Sequence, residues 1–416
     1  MSPRARHLWL LALAALALRA PLLLLSPGAE YDITSYLHAA GINGPGLYSS
    51  AETAGRYPYL PLWWLLLKGL KACADIFGDF GLWARLPGVA GDLAVSALLY
   101  LLVERRSRSS AALSAGPDAP RSAQAGLIAG LGWALNPLAA LISASHGQFD
   151  SLGLALLLGA AWQLEYADDP RAELWAALCL AAAVALKTWP LAFLPLYLSV
   201  FPSVRERLRF AALVLLPPLL LLLPWLWMDG PLNVASRISY SGATALGFSG
   251  ALRAAFFAVD APVELYRQVD DAWRSLALGA LAAAFLWALL QPRRLRLLDG
   301  LALAALTLLL LAPGLSPQYL GWPIALALLR PSGPAWRLTL ASLPLLVGFY
   351  ALFMPPVLLG AAAWAPPRVP QAFYLLWAVA NLGWCFFVAA EWVRLMRLNL
   401  APRRDHVFLS LIHICE

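Results

Sequence analysis

Charge is scarce in this sequence: only 13% of the 416 residues are Asp, Glu, Lys or Arg, against roughly 25% in soluble domains. Histidine and methionine are rare too, with five and four copies. The four cysteines, Cys73, Cys179, Cys385 and Cys415, lie far apart with no CxxC spacing, which argues against a disulfide framework and a cysteine metal site. Heptad arrays, strong internal repeats and any stretch of soluble-domain composition are missing as well. What remains is apolar: 61% of the chain is hydrophobic, so a soluble enzyme, a disordered protein and a nucleic-acid-binding domain are poor readings. The net charge of +7 and the pI near 9.4 would suit nucleic acid. In a membrane protein, however, the same excess of base needs only cytoplasmic loops facing anionic lipid.

Apolar stretches measured against the roughly 20 residues needed to cross a bilayer predict an all-α, polytopic transmembrane bundle of about twelve spans. The windows are 8–26, 86–103, 125–145, 150–165, 173–187, 188–201, 209–227, 274–290, 299–313, 318–330, 338–354 and 371–393. Arg4 and Arg6 before an apolar run fit a signal peptide, but the run resumes after Arg19 with no convincing small-x-small site, so an uncleaved first span is expected. Segment 58–78 is apolar but carries Lys68, Lys71 and Asp75. If it stays on the outer surface, with Trp63 and Trp64 at headgroup level, nineteen of the 30 Lys and Arg residues fall on the inner side, as short cytoplasmic loops require. Residues 1–393 form one membrane domain in this reading, with juxtamembrane helices in its outer first loop and a cytoplasmic tail at 394–416. The 104–124 stretch reads as a flexible inner linker. The last ten residues, VFLSLIHICE, do not continue the Arg-rich tail and resemble translated adapter sequence. A multi-pass protein of the cell membrane, in a bacterium the cytoplasmic one, is expected.

Polar groups at membrane depth are costly unless they face protein or a wet cavity, so those near the outer face are the candidates for chemistry. Glu30 and Asp32 follow the first span in GAEYDITSYLHAAG, where a carboxylate is either a general base for an acceptor hydroxyl or a helix cap. His146, Gln148 and Asp150 cluster in NPLAALISASHGQFDSL after a break at Asn136-Pro137, marking a pocket or a solvated turn with Asp150 as cap. Lys187 in LKTWP is a phosphate partner or a snorkelling lysine. Gln318 and Tyr319 in LSPQYLGWP make another polar break. Arg19, inside the first span, needs a partner, Asp92 or a lipid phosphate, and Asp92 is its counter-ion or part of a substrate site. His146 and Asp150 are too few ligands for a metal site, so no metal and no cofactor are expected.

The order of these motifs, with the aromatic-proline element RYPYLP that contains Tyr57, resembles the GT-C superfamily of integral-membrane glycosyltransferases over roughly residues 8–393. It looks most like the bacterial and archaeal mannosyltransferase-like branch, and is similar to enzymes that extend phosphatidylinositol mannosides and to the glycosylphosphatidylinositol mannosyltransferase. The resemblance implies inverting transfer of a hexose, mannose first, from a polyprenyl-phosphate sugar to a lipid-linked or glycan acceptor at the outer face. It makes Asp32 the base; Glu30, Arg19, Tyr57, Asp92, His146, Gln148, Asp150, Lys187, Gln318 and Tyr319 are the candidates for substrate binding. The paired acids of some members are met loosely, since Tyr31 separates Glu30 from Asp32. A lipid-linked glycan transporter or flippase would show matched halves, which are not found; a glycan polymerase or ligase would consume a diphosphate-linked oligosaccharide; a scaffold would leave the polar clusters apart. The transferase reading places Asp32, His146, Gln148, Asp150, Lys187, Gln318 and Tyr319 around one outer cavity, Asp32 across from Lys187. In a cysteine-free background, a single cysteine at Ser107 should resist an impermeant thiol reagent added outside, while one at Ser49 should react. Outside labelling at 107 would invert the topology.

Overall fold

The computed structural model describes residues 1–113, 119–239, 245–290, 297–330, 334–360 and 370–400. Among the described residues every regular element is helical. In order they are α1 (Pro3–Leu25), α2 (Glu30–Gly41), α3 (Pro61–Phe77), α4 (Phe80–Leu113), α5 (Ala119–Ala134) and α6 (Pro137–Ala140), which runs on as a π-turn, Leu141–His146. Next come α7 (Asp150–Tyr166), α8 (Ala172–Leu186), a 3-10 turn Trp189–Phe193 leading into α9 (Leu194–Ser199), α10 (Val204–Met228), α11 (Pro231–Ile238) and α12 (Gly247–Ala258). The chain continues through α13 (Val263–Leu290), α14 (Leu297–Leu311), a 3-10 turn Pro317–Leu320 with α15 (Gly321–Ala327), α16 (Pro334–Phe353), α17 (Pro355–Leu359) and α18 (Gln371–Leu400).

Six helices, α1, α4, α10, α13, α16 and α18, are long and apolar enough to cross a bilayer, and α5 with α6 and its π-turn makes a seventh, bent by 43°. The chain is thus a multi-pass helical membrane protein. The other windows read as spans coincide with shorter helices: 17 residues in α7, 15 each in α8 and α14, and seven in α15. At 1.5 Å per residue, 15 residues reach only about 22 Å of the ~30 Å hydrocarbon core. Polar and Pro-containing breaks such as Lys187-Thr188-Trp189-Pro190 cut these stretches short.

One buried ion pair organises the first half. Pro137 has no N–H to give to the carbonyl one turn back, and the amides of Leu138 and Ala139 turn instead to the Asn136 side chain, at 3.1 and 3.2 Å. The α5 terminus is left short of donors. Arg19 of α1 supplies one, donating 2.6 Å to the Ala134 carbonyl while its Nε bonds Asp92 of α4 at 2.7 Å. Asp92 also accepts from Trp133 Nε1 at 3.0 Å and Ser143 Oγ at 2.5 Å. Arg19 and Asp92 are both fully buried, so each charge is covered by partners from α1, α4, α5 and the π-turn.

α1 and α4 run antiparallel, Arg4 meeting Glu104 at one end and Arg85 donating to the Leu23 carbonyl at the other. The first end also gathers Arg106 and Arg330 on Asp299, and it is the end that the charge distribution assigns to the cytoplasm. These pairs account for one departure from the sequence reading. Most of 104–124 is helix, α4 continuing to Leu113 and α5 starting at Ala119, because Arg106 and Arg108 have partners there. α18 also runs past residue 394 to Leu400; the end of the expected tail, 401–416, lies outside the described residues. Trp63 is no headgroup aromatic: it is fully buried and stacked on Phe149 at 3.6 Å, because the apolar face of α3 turns toward α2, α4, α8 and α10.

Removing one partner of a buried pair strands the other charge, which costs about 3–5 kcal/mol. Arg19→Met and Asp92→Leu should each lower the melting temperature of the purified protein sharply, and the double variant should regain part of the loss. A single variant that melts with the wild type would show that the pair does not hold the bundle together.

Candidate active site

At the other end, the bent span of α5 and α6 delivers its functional side chains through a π-turn that ends in orphaned carbonyls. Each finds a donor: Ala144 O accepts from Arg85 Nη1 (2.9 Å), Ser145 O from Ser26 Oγ (2.8 Å) and His146 O from the Ala29 N–H (2.8 Å). Gly147 then reverses the chain at φ +99°, a conformation L side chains rarely adopt, and a Cβ there would lie 2.9 Å from Arg85 Cγ. The Ala29 N–H that holds His146 sits at the start of α2, so the same contact sets α2, and with it Asp32, against the π-turn.

Asp32 Oδ2 accepts two hydrogen bonds, from His146 Nε2 at 2.6 Å and Gln148 Nε2 at 2.9 Å. Behind Gln148, Lys187 Nζ donates to Gln148 Oε1 at 3.3 Å and to Asp150 Oδ2 at 2.7 Å, and Asp150 Oδ1 accepts from Trp322 Nε1 at 3.2 Å. On the other flank His146 Nδ1 meets the Tyr350 hydroxyl at 2.8 Å. The Gln148 amide cannot flip, because the ammonium only donates and the carboxylate only accepts. The same rule gives His146 its hydrogen on Nε2, with Tyr350 donating to Nδ1. Burial pushes the Asp32 pKa up, but the hydrogen bond from His146, the Gln148 amide and the Lys187 charge outweigh it and hold the group below its ordinary 3.8. Asp32 is therefore a carboxylate, and both of its side-chain hydrogen bonds fall on Oδ2.

That cavity measures about 290 Å³, and its walls include Asp32, His146, Gln148 and Gln318 together with Arg56 and Tyr59, close to the lower end of small-molecule pockets. Arg56 lies 4.7 Å over the Tyr31 ring, and among the described residues no carboxylate pairs with it. Tyr59 closes the side toward Lys187, whose ammonium is 5.3 Å from the Tyr59 ring and 5.2 Å from Phe149.

Four of the seven residues expected to converge therefore share the cavity wall. Asp150 and Lys187 stand one layer behind, joined to it through Gln148, so Lys187 is tied to Asp32 by a side chain rather than facing it across a sugar-sized gap. Tyr319 lies against Trp322, ring centroids 4.3 Å apart. The cap alternatives are not realised: Ala29 and Phe149 are the N-cap residues of α2 and α7, and neither helix has a side-chain cap bond. Lys187 does not snorkel, being ion-paired to Asp150 and only 11% exposed. Glu30 is exposed in the first turn of α2. Tyr57 is buried, its hydroxyl on the Leu60 carbonyl, and Arg19 and Asp92 are spent on each other; none of these four lines the cavity. The sequence reading passed over Arg56 and Tyr59, although both flank Tyr57 in RYPYLP. It also passed over Tyr350, which stands in the apolar run VGFYALF with no signal of its own. Among the described residues no three His, Cys, Asp or Glu side chains gather as metal ligands.

No family model matches the sequence, and no curated protein does. Among solved structures the chain is similar to ArnT from Cupriavidus metallidurans bound to undecaprenyl phosphate, with 15% identity and a TM-score of 0.48 over 95% of this chain and 72% of that one.

Because the native interactions of Asp32 favour its charged form, they stabilise the fold above its ordinary pKa of 3.8 and are lost as pH falls through the lowered value. In His146→Asn the opposing burial prevails and the carboxyl protonates at higher pH. The melting temperature of this variant should trail the wild type at pH 7 and approach it as pH drops toward 4. A gap independent of pH would mean that His146 does not set the charge of Asp32.

Proposed function

We propose that the chain is a membrane glycosyltransferase that moves one hexose, mannose in the first instance, from a polyprenyl-phosphate sugar to a hydroxyl of a lipid-linked or glycan acceptor at the outer face, with inversion. The observation that carries this reading is a carboxylate held through one oxygen in the wall of a cavity that also presents the Arg56 guanidinium. The acceptor oxygen attacks the anomeric carbon from the side opposite the phosphate. As the new C–O bond forms, the old one breaks, its electron pair leaves with the polyprenyl phosphate, and the acceptor proton passes to Asp32 Oδ1. His146 and Gln148 hold the carboxylate still, and the Tyr350 hydroxyl keeps His146 in the tautomer that donates to it.

The growing charge on the leaving phosphate needs a cation. Lys187 is neutralised by Asp150, so its role is to orient Gln148, and Arg56 takes the phosphate. This division differs from the expectation for Lys187 drawn from the sequence alone, and it follows from which cation lines the cavity. The twelve-span architecture and the bacterial cytoplasmic membrane belong to the same proposal, the seven spans supported by helix length being completed by the shorter paired helices.

Incubating the purified protein with a panel of polyprenyl-phosphate sugars and an acceptor lipid extract should release polyprenyl phosphate from one of them. Asp32→Asn keeps shape and removes basicity, so turnover should fall about 10²–10⁴-fold. Arg56→Gln should weaken donor affinity about 10- to 150-fold, the ~1.5–3 kcal/mol of a charge-assisted contact. An Asn variant with near-normal turnover, or a panel from which no phosphate is released, would end the transferase reading.

A further inference from the structure

The cavity wall borrows from a segment with no helix of its own: between Gly41 and Pro61 the chain makes only turns and bends, yet it supplies Gly55, Arg56, Pro58 and Tyr59 to the wall. A stretch of that length needs ties to hold one conformation. The strongest comes from α10. Asp229, just beyond that helix and buried, accepts from the Gly46 N–H at 2.6 Å, the Tyr48 N–H at 2.8 Å and Ser49 Oγ at 2.9 Å. Its own carbonyl accepts from Asn233 Nδ2 at 2.7 Å, which sets the start of α11, and Arg237 of α11 donates back to the Tyr48 carbonyl at 3.2 Å. Both backbone polar groups of Tyr48 are thereby held. The Tyr48 hydroxyl in turn donates to the Tyr59 carbonyl at 2.8 Å, and its buried ring packs edge-on against Tyr57 and Trp225.

The loop is pinned at Tyr48 by a carboxylate and at Tyr59 by the Tyr48 hydroxyl, with Arg56 between the pins. Asp229 does not line the cavity. A carboxylate suits the task because three donors converge on its two oxygens; an amide in its place would turn an N–H₂ toward a backbone N–H.

We propose that Asp229 is a positioning residue for the donor site: through Tyr48 it holds the loop that presents Arg56 and Tyr59 to the cavity, so that a charge at the outer end of α10 sets phosphate affinity without touching the substrate. The proposal rests on the reading that a polyprenyl phosphate occupies the cavity.

The test uses the full-length protein in nanodiscs with undecaprenyl phosphate as probe, measuring its affinity, the donor KM and kcat, and hydrogen exchange over 44–60. Asp229→Asn should weaken binding of the probe at least tenfold, raise donor KM in step, leave kcat within about threefold and speed exchange in 44–60. In an Arg56→Gln background the same substitution should weaken binding no further, since the contact it positions is already gone. Unchanged affinity in Asp229→Asn, or equal losses in the two backgrounds, would overturn the proposal. If Asp229→Asn does not yield folded protein, Tyr48→Phe keeps the buried ring and removes only the hydroxyl on Tyr59; it should weaken the probe about threefold, and an unchanged affinity would count against the proposal equally. A wild type that fails to bind undecaprenyl phosphate overturns the donor reading and the proposal together, whereas a wild type that binds it beside an unaffected Asp229→Asn overturns the positioning role alone.

Discussion

Everything at the cavity depends on the charge that Arg19 brings into the bundle. A break between α5 and α6 is needed to turn the chain back toward α2, and Pro137 makes that break at the cost of backbone acceptors without donors. Arg19 covers one of them, and Asp92 covers Arg19. With that corner closed, the segment after Pro137 can tighten into a π-turn, and the turn sets His146 and Gln148 on the same oxygen of Asp32. A helix that ran straight from α5 would carry residues 146 and 148 away from α2.

The polar groups at the cavity form one connected chain, from Trp322 through Asp150, Lys187, Gln148, Asp32 and His146 to Tyr350. Within apolar surroundings such a chain is favoured when donors meet acceptors, and here each link joins one to the other: indole to carboxylate, ammonium to carboxylate and amide, amide to carboxylate, imidazole to carboxylate, phenol to imidazole. Its two carboxylates, Asp32 and Asp150, are separated by one cation and one neutral amide and do not face each other. Of the four carboxylate oxygens in this network, Asp32 Oδ1 is the one outside its links.

Several of these residues were legible in the sequence because membrane depth makes polar residues conspicuous. His146, Gln148, Asp150, Lys187 and Gln318 each interrupt an apolar run, and Asp32 follows the first span directly. What spacing cannot give is which of them face solvent space and which face each other. Lys187 looks the same in sequence whether its partner is a ligand or Asp150, and Arg19 looks the same whether it binds lipid or Asp92. Arg56 and Tyr59 stayed hidden because they lie in a loop where a cation and an aromatic are ordinary; only the fastening of Tyr48 to Asp229, across 181 residues of chain, brings them to the wall. Hydropathy likewise marks the apolar windows on either side of Lys187-Thr188-Trp189-Pro190 but not that the helices there are too short to cross alone. Trp63 misled because an aromatic beside a bilayer and an aromatic stacked on Phe149 have the same composition.

The pairing of Arg19 with Asp92 also bears on how the protein is made. The two residues are 73 positions apart, and at ~5–20 residues per second the ribosome takes roughly 4–15 s to reach the second after the first. During that interval the first helix carries a lone guanidinium with no partner in the growing chain. It must wait at the insertion machinery or near the headgroups until α4 arrives. Assembly of the bundle thus begins with a delay written into the order of synthesis, and a slower passage through the codons between the two would lengthen the time this helix spends exposed to quality control.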